Sequence, residues 1–300
     1  MRVVVTGAGG FVGSAVSAAL QASGHDVVGL ARDPARLVAG VRPVVGSVLD
    51  AEVVAAALDG ADAVCHLAAR VRVRESREDP LGYWRTNLDG TRTVLAAAGP
   101  DVRVVLVSTC AVHAPADVPI GEDAPLAPSN PYAASKLAAD LLARDVALAG
   151  GPGVVCLRVF NVAGAAAGRG DDDRSRVVPA LLAAVAGGRF TVNGDGSAVR
   201  DLVHVADLAD GVVGALGVAE PGTWRAFTVG SGRGTSVAEL IDVVGRVTGR
   251  SVPVLHGEAV DEPSRLVADP SRARRELGWA PTRSAPERIV ADAWAARPLP

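Results

Sequence analysis

Short, uninterrupted apolar runs alternate along the first half of the chain with longer alanine-rich segments. The runs VVVTG, VVGLA, PVVG, AVCHLA, VRVVLVS and VVCLRVF lie at residues 3–7, 27–31, 43–46, 63–68, 102–108 and 154–160. The segments between them predict helices at about 12–23, 51–59, 85–98 and 131–149. Continuous apolar character is typical of strands buried on both faces. The order therefore predicts an α/β fold, a Rossmann-type doubly wound parallel sheet.

The alternation loosens after residue 161. GAAAGRGDDDRS at 164–175 predicts a loop and NGDG at 193–196 a turn. Further helices are expected at about 177–187, 206–216 and 236–248, and a strand at 226–230. We predict a main domain formed by residues 1–161 and roughly 198–232. A smaller, mixed α/β C-terminal domain, formed by residues 162–197 and 233–300, would bind the substrate.

Composition and charge exclude several classes of protein. The 300 residues, 49% of them hydrophobic and 21% charged, fit a globular chain with a substantial core. The net charge of -3 comes from interspersed residues, so no nucleic-acid or membrane partner is expected. No apolar run resembles a signal peptide or a membrane span, which predicts a cytoplasmic location. Three scattered cysteines indicate buried packing and no metal site: Cys65, Cys110 and Cys156.

A glycine triplet follows the first predicted strand and opens the first predicted helix. Gly7, Gly10 and Gly13 would let the backbone approach a pyrophosphate, and the helix N-terminus would supply N–H groups to bind it. This placement predicts a dinucleotide site, although an ordinary tight turn has the same pattern. The second strand ends in Ala31 and Arg32, where a carboxylate would select NAD. Arg32 leaves NADP open because arginine suits a 2′-phosphate, but it can also stack on the adenine of NAD.

One lysine stands out because the chain carries 29 arginines and only Lys136 beside them. Tyr132 lies four positions before it in a predicted helix, so the two side chains share a face. An adjacent ammonium stabilises a phenolate, lowers a phenol pKa from about 10, and can donate to ribose hydroxyls. The wide, rigid fork of arginine would not fill this position equivalently. The pair indicates hydride chemistry at a hydroxyl or carbonyl, with Tyr132 as the acid/base.

Several motifs occur together in a fixed order: TGAGGFVG (6–13), HLAA (66–69), NLDGT (87–91), VSTCAVHA (107–114), YAASK (132–136), LRVFNVAG (157–164), RDLVHVADL (200–208) and ELGWAP (276–281). With them the chain resembles the extended short-chain dehydrogenase/reductases, the NAD-dependent epimerase/dehydratase family. The resemblance implies that Thr109 hydrogen-bonds the reacting oxygen, while Lys136 tunes Tyr132 and holds the nicotinamide ribose. It also implies an NAD(P) site lined by Gly7, Gly10, Phe11, Val12, Gly13, Arg32, Ser47, Val48, Leu67, Ala68, Ala69, Asn87, Tyr132 and Lys136.

Structural roles remain as alternatives at three of these positions. Thr109 could cap a helix, Asn87 could be a capping amide, and His66 is expected to be a packed histidine rather than a proton donor. Ser47 replaces the aspartate that usually precedes the adenine-flanking residue, here Val48. This departure again affects the adenosine end of the site.

The resemblance also bears on the reaction. Dehydratases of the family carry an acidic pair after the catalytic threonine, whereas Cys110 and Ala111 stand here, which disfavours dehydration. VRESREDPLGYWRTNL (73–88) and VNGDGSAVRDLVHVADL (192–208) resemble the UDP-galactose 4-epimerase-like branch. A substrate diphosphate would then be bound by Arg200, because guanidinium pairs bidentately with phosphate. Other substrate-binding residues would be Ser76, Asn161 and, in place of an arginine missing near Ala259, Arg265.

Three functions remain open from the sequence. The leading hypothesis is a nucleotide-sugar C4 epimerase that works by transient hydride transfer to bound NAD(P) through a 4-keto sugar. NAD suits this cycle because no net redox occurs, but Arg32 keeps an NADP-dependent ketoreductase for a keto-sugar or other carbonyl compound as the alternative. The third is a cofactor-binding module without turnover, which the intact Thr109, Tyr132 and Lys136 set disfavours. The family also implies a homodimer.

Overall fold

A computed structural model of the chain describes residues 1–260 and 262–297. Its strands are β1 (Arg2–Thr6), β2 (Asp26–Ala31), β3 (Arg42–Val45), β4 (Ala63–His66), β5 (Arg103–Thr109), β6 (Gly153–Val159), β7 (Asn161–Ala163), β8 (Ala165–Ala166), β9 (Arg169–Gly170), β10 (Phe190–Asn193), β11 (Val199–His204), β12 (Trp224–Val229), β13 (Gly234–Ser236), β14 (Val254–Gly257) and β15 (Arg265–Leu266).

The helices lie between these strands and after them. They are α1 (Phe11–Ala22), α2 (Ala51–Leu58), α3 (Val73–Glu78), α4 (Pro80–Trp84), α5 (Gly90–Ala97), α6 (Pro131–Leu148), α7 (Val177–Val185), α8 (Val205–Leu216), α9 (Val237–Thr248), α10 (Ser271–Leu277) and α11 (Pro286–Ala295). Short 3-10 turns occur at Pro34–Arg36 and Cys110–Val112, and a π-helical turn at Arg85–Asp89.

Seven parallel strands form the main sheet, in the order β12-β6-β5-β4-β1-β2-β3. Successive side chains of a strand point to opposite faces, and both faces are buried here. Val3 and Val5 pack with α1 and α8 on one face, whereas Val4 packs with α2, α5 and α6 on the other. The predicted doubly wound parallel sheet is thus confirmed.

A second, smaller sheet joins β13, β11 and β15, and β7 adds to β11. Helices α7, α9 and α11 pack around it in a separate apolar core with Leu181, Val244 and Ile289 at its centre. Val199–His204 lies within the segment assigned to the main domain by sequence, yet its partners belong to this sheet. Strand β11 thus pairs within the smaller sheet, and the proposed domain boundaries stay predictions.

The helix predicted at about 85–98 is present, but it begins earlier and contains a local irregularity. Helix α4 starts at Pro80, and the π-helical turn Arg85–Asp89 joins it to α5 without leaving the helical conformation. The extra backbone of such a turn rotates a side chain relative to the regular helix. Here the turn contains Asn87, which is buried.

The carboxyl ends of the central parallel strands meet at one edge of the main sheet. The chain leaves β1 into the glycine turn, β4 into Leu67 and Ala68, and β5 at Thr109. Strand β1 lies between β4 and β2, so successive connections diverge there, and ligands of open α/β sheets bind at such switch points. Among the described residues, no helix is long and apolar enough to cross a membrane.

Candidate active site

The glycine turn provides an open helix N-terminus. Gly7 has a left-handed φ of 70°, and a Cβ there would lie 2.9 Å from Ala68 N. A Cβ on Gly13 would lie 2.1 Å from Gly7 O, so the close packing of turn and helix requires glycine. Gly10 caps α1 without a side-chain hydrogen bond, and Phe11 and Val12 in the first turn are partly exposed. Their N–H groups therefore suit the pyrophosphate of a dinucleotide.

His66 holds the backbone beside this turn as a neutral imidazole. The Thr91 hydroxyl donates to Asn87 O at 2.7 Å, so His66 Nε2 is the donor in its 3.1 Å contact with Thr91. His66 Nδ1 then accepts from the Thr6 hydroxyl at 2.7 Å. Burial lowers the pKa of His66 to about 3. The expected packed role fits this network better than proton transfer.

The same network reaches the residues predicted to line the cofactor. Thr6 Oγ1 accepts from Leu67 N at 3.1 Å and from Ala68 N at 3.2 Å. Ala69 follows, partly buried, directly after these residues. The Thr6 hydroxyl therefore holds the backbone that follows β4 against the end of β1.

The adenosine end has no carboxylate available at the end of β2. Ala31 is buried, Arg32 is exposed, and Asp33 accepts from Ala35 N at 3.0 Å as the cap of a 3-10 turn. Ser47 accepts from Leu49 N at 3.2 Å, and Val48 is buried against Gly90. Their contacts with adenosine stay predictions, as does the contact of the exposed Arg32.

Helix α6 carries Tyr132 and Lys136 on one face. Asn130 caps it by accepting from Ala133 N at 2.9 Å, and Pro131 occupies the first helical position. Lys136 is buried, and its Nζ donates to Val107 O of β5 at 2.6 Å. Burial lowers the pKa of Lys136 to about 8. The ammonium is thus anchored to the sheet edge next to the site.

Tyr132 and Thr109 meet at the carboxyl end of β5. Burial raises the pKa of Tyr132 to about 12, and a hydrogen bond with Thr109 opposes this rise. The Thr109 hydroxyl also accepts from Ala111 N at 3.2 Å, so the threonine caps a 3-10 turn and faces the phenol as well. In the free chain burial dominates the pKa of Tyr132, and the Lys136 ammonium donates to Val107 O. The lowering of the Tyr132 pKa by Lys136 stays a prediction for the filled site.

A second tyrosine forms the wall behind Tyr132. The rings of Tyr83 and Tyr132 pack edge to face with centroids 6.4 Å apart, and the Arg70 guanidinium lies 4.6 Å from the Tyr83 centroid. The Tyr83 hydroxyl donates to Arg72 O at 2.7 Å. This wall fixes the phenol of Tyr132 from one side.

Asn87 is committed to the protein itself. Its amide oxygen accepts from Arg70 N at 2.8 Å, and its Nδ2 donates to Arg70 O at 3.1 Å and to Ser135 Oγ at 2.9 Å. These bonds join the segment after Ala69 to the catalytic helix. The geometry supports the capping alternative, while direct cofactor contact stays a prediction.

The predicted substrate residues lie in the smaller domain and in α3, with most polar atoms already engaged. Ser76 is fully buried and donates to Val73 O at 2.6 Å, and Asn161 Nδ2 donates to Asp201 O at 3.2 Å. Arg200 donates to Pro263 O at 2.8 Å and pairs with Glu262 at 2.6 Å. Arg265 lies beside it on β15. To bind a diphosphate, Arg200 must therefore either leave its ion pair with Glu262 or contact both groups at once.

Two charged features behind and beside the catalytic residues were not predicted from the sequence. Asp140 of α6 forms a buried 3.0 Å ion pair with Arg158 of β6, directly below Lys136 on the helix. Arg176, at the start of α7, is near enough for its charge to favour the Tyr132 phenolate. It also pairs with Asp171 at 2.9 Å. Arg176 lies in a polar stretch and resembles an ordinary surface charge in the sequence. Arg158 interrupts the apolar run 154–160, and a charge inside a buried strand was the signal that could have predicted a buried partner.

The three free cysteines are buried, as predicted. Cys110 directly follows Thr109, but burial raises the pKa of its thiol to about 12, which excludes a reactive thiolate. The described residues contain no group of three or more metal-ligating side chains.

The parallel sheet, the glycine turn and the Thr109, Tyr132 and Lys136 set define a dinucleotide-binding enzyme of the short-chain oxidoreductase class. The model of the NAD dependent epimerase/dehydratase family matches residues 3–230. The chain belongs to this family, so the resemblance inferred from the motifs is confirmed.

Relatives cover nearly the whole chain. A UDP-glucose 4-epimerase of Corynebacterium glutamicum is 36% identical over 313 residues, covering 98% of this chain and 95% of the relative. One of Streptomyces lividans is 38% identical with the same coverage. The crystal structure of a UDP-glucose 4-epimerase of Brucella ovis in complex with NAD is 33% identical, with a TM-score of 0.92 and coverage of 98% and 97%. These similarities favour an epimerase over the other members of the class.

Proposed function

We propose that the chain is an NAD-dependent nucleotide-sugar 4-epimerase that acts on a UDP-hexose. The observation that carries the proposal is the meeting of Thr109, Tyr132 and buried Lys136 beside an open dinucleotide turn. Solved relatives support the ligands: the similar structure from Brucella ovis contains NAD, and MoeE5, 30% identical with a TM-score of 0.87, was solved with UDP-glucose and NAD.

The pKa values of Tyr132 and Lys136 suggest how the proton of the reacting hydroxyl is transferred. With a pKa of about 12, Tyr132 is protonated at neutral pH in the free chain and must become a better base when the site is filled. Lys136, with a pKa of about 8, is still mainly charged at pH 7 and can stabilise the phenolate that forms. Thr109 orients the oxygen that exchanges this proton. When bound, NAD supplies reversible hydride acceptance at its nicotinamide ring.

The chain's residues divide into a cofactor side and a sugar side. The turn from Gly7 to Gly13 would hold the pyrophosphate, Leu67 and Ala68 would line the nicotinamide half, and Lys136 would reach the ribose. Asn161, Arg200 and Arg265 would hold the UDP moiety from the smaller domain. A homodimer and a cytoplasmic location stay predictions.

The test measures conversion between UDP-glucose and UDP-galactose by purified protein. Tyr132→Phe should lower kcat by about 10²- to 10⁴-fold, the usual contribution of a positioned acid/base. Tyr83→Phe is the matched control, because Tyr83 is the other tyrosine and its hydroxyl binds Arg72 O rather than Thr109. Full turnover by Tyr132→Phe would remove the acid/base assignment.

A reductase would behave differently, and the exposed Arg32 beside Ala31 is the observation that keeps it in view. The nucleotide released by denaturing the purified wild type should be NAD, in near-stoichiometric amount. Stoichiometric consumption of added NADPH by a keto-sugar, without sugar isomerisation, would replace the epimerase by the ketoreductase.

A further inference from the structure

A two-stranded hairpin from the smaller domain reaches the dinucleotide turn. Strands β8 and β9 pair antiparallel through Ala165 with Gly170 and Ala166 with Arg169. The two residues between them, Ala167 and Gly168, have φ values of 51° and 71°. Both lie in the left-handed region, as in the tight turns that join twisted hairpins. The hairpin is thus a defined element rather than an irregular loop.

Arg169 connects this hairpin to both segments at the cofactor turn. Its Nη1 donates to Gly9 O and to Arg36 O, each at 3.0 Å. Gly9 belongs to the glycine turn, and Arg36 ends the 3-10 turn that follows β2. A Cβ on Gly9 would lie 3.2 Å from Arg36 Cβ, so these two segments are already in contact. One guanidinium therefore spans the boundary between the pyrophosphate turn and the adenosine end.

The loop that follows β9 is also fixed on its other side. Asp173 pairs with Arg72 at 2.9 Å, next to the carbonyl that accepts from Tyr83. Asp172 lies 3.9 Å from Arg36, although both side chains are exposed. The segment from Ala165 to Asp173 thus runs from the cofactor turn to the wall of the catalytic site, with an anchor at each end.

We propose that residues 165–173 form a latch that retains the bound dinucleotide, with Arg169 as its cofactor-side anchor. The two N–H groups of Nη1 are used by the two carbonyls, and within the described residues the remaining guanidinium donors have no hydrogen-bond partner. Those donors and the fixed positive charge lie beside the helix N-terminus that suits a pyrophosphate. This inference rests on the dinucleotide site of the proposed function and adds a residue that holds the cofactor there.

A latch matches the chemistry of an epimerase. The cofactor returns to its starting state in each cycle, so it has no reason to leave between turnovers. A reductase must instead exchange its nicotinamide nucleotide after every turnover. Slow cofactor release dependent on Arg169 would therefore serve the first reaction and hinder the second.

The experiment measures release of NAD from the intact, NAD-loaded protein. Wild type, Arg169→Ala and Arg169→Gln are diluted and desalted, and the nucleotide that remains bound is quantified over time. We expect at least tenfold faster release from Arg169→Ala, since charged hydrogen bonds are lost. Arg169→Gln keeps an N–H donor for a carbonyl but loses the charge. Its NAD release rate should lie between those of wild type and Arg169→Ala.

Arg174→Ala is the matched control because it removes an arginine from the same loop. Arg174 is exposed and has no hydrogen bond or ion pair within the described part of the chain. It should release NAD at the wild-type rate. Hydrogen exchange of the NAD-bound proteins provides a second measurement: amides of residues 165–173 should exchange faster in Arg169→Ala only.

The outcomes separate the latch from the proposed function. Wild-type release rates in folded Arg169→Ala and Arg169→Gln would overturn the latch and leave the epimerase assignment intact. Equal acceleration by Arg174→Ala would also overturn it, because any loss of loop charge would then suffice. A wild type that neither carries nor binds NAD would instead refute the proposed function.

Discussion

Replacing Lys136 by methionine should stabilise the protein while abolishing turnover. The lysine is buried beneath the active site, and methionine matches its length and fills the same space without a charge. Its ammonium has one hydrogen-bond partner within the described residues, Val107 O at 2.6 Å. The substitution therefore removes a buried charge at the loss of a single bond.

The pKa of Lys136 gives the magnitude. A fall from 10.5 to about 8 corresponds to about 3 kcal/mol of unfolding free energy, because one pKa unit equals about 1.4 kcal/mol. Loss of the hydrogen bond to Val107 O lowers the unfolding free energy of the variant by about 1 kcal/mol. Lys136→Met should thus raise the unfolding free energy by about 2 kcal/mol at pH 7.

The sign of the pH dependence follows from proton binding. Between the native pKa of about 8 and the unfolded value of 10.5, the unfolded chain binds more protons than the native chain. Wild type therefore gains stability as pH rises through this window, and below pH 8 the full penalty is present. The advantage of Lys136→Met should shrink by about 2 kcal/mol between pH 7 and pH 9.5.

The assay is urea unfolding of nucleotide-free proteins at both pH values, since bound NAD would stabilise them unequally. Lys136→Arg is the control, because arginine keeps its charge throughout this range and brings more donors into the same space. It should be less stable than wild type at both values. A Lys136→Met protein that is less stable than wild type at pH 7, or whose difference from it is independent of pH, would refute the assigned burial penalty.

Three further predictions concern the surrounding framework, each checked by urea unfolding. Because His66 has a native pKa of about 3, only the unfolded chain binds its proton between pH 7 and pH 5, and the unfolding free energy of wild type should fall by about 2 kcal/mol over this range. An equal fall of the unfolding free energy in His66→Gln would contradict this. Asp140→Ala should cost about 3–5 kcal/mol by leaving Arg158 buried without its partner, and Asp140→Leu/Arg158→Met should recover most of it; equal losses in both proteins would show that the pair itself stabilises. Ala167→Gly should gain about 1 kcal/mol by relieving the left-handed φ of 51°; a loss would indicate that the hairpin is not strained there.

Local pattern was enough to predict the main sheet, since most of its strands coincide with short, mainly apolar runs. Partner choice between strands is not local, so the sequence pattern did not show which sheet Val199–His204 joins. That segment directly precedes a helix that packs on the main sheet, yet its own backbone pairs with β7, β13 and β15. The π-helical turn at Arg85–Asp89 was not predicted for a similar reason, because the Asn87 side chain in it bonds to Arg70 and Ser135, which lie on other segments.

In the site, too, local spacing predicted which residues lie together but not their contacts with other elements. A spacing of four placed Tyr132 and Lys136 on one face, and their rarity in this composition marked them. Spacing does not reveal where Nζ points, and its bond to Val107 O changes the expected effect on the phenol. The Asp140–Arg158 pair and the Arg169 contacts join residues on different elements, so only the folded arrangement identifies them.

The surroundings of Lys136 explain why this position holds a lysine and not an arginine. A guanidinium carries five N–H donors, and burying several of them without acceptors would cost more than burying one compact ammonium. At this position the described residues offer Lys136 one acceptor, the carbonyl of Val107. With an uncharged side chain here, the protein would be more stable still, by about 2 kcal/mol at pH 7. The retention of a charge that destabilises the fold is best explained by a role in turnover, because neither packing nor the arginine-rich composition of this chain favours lysine here.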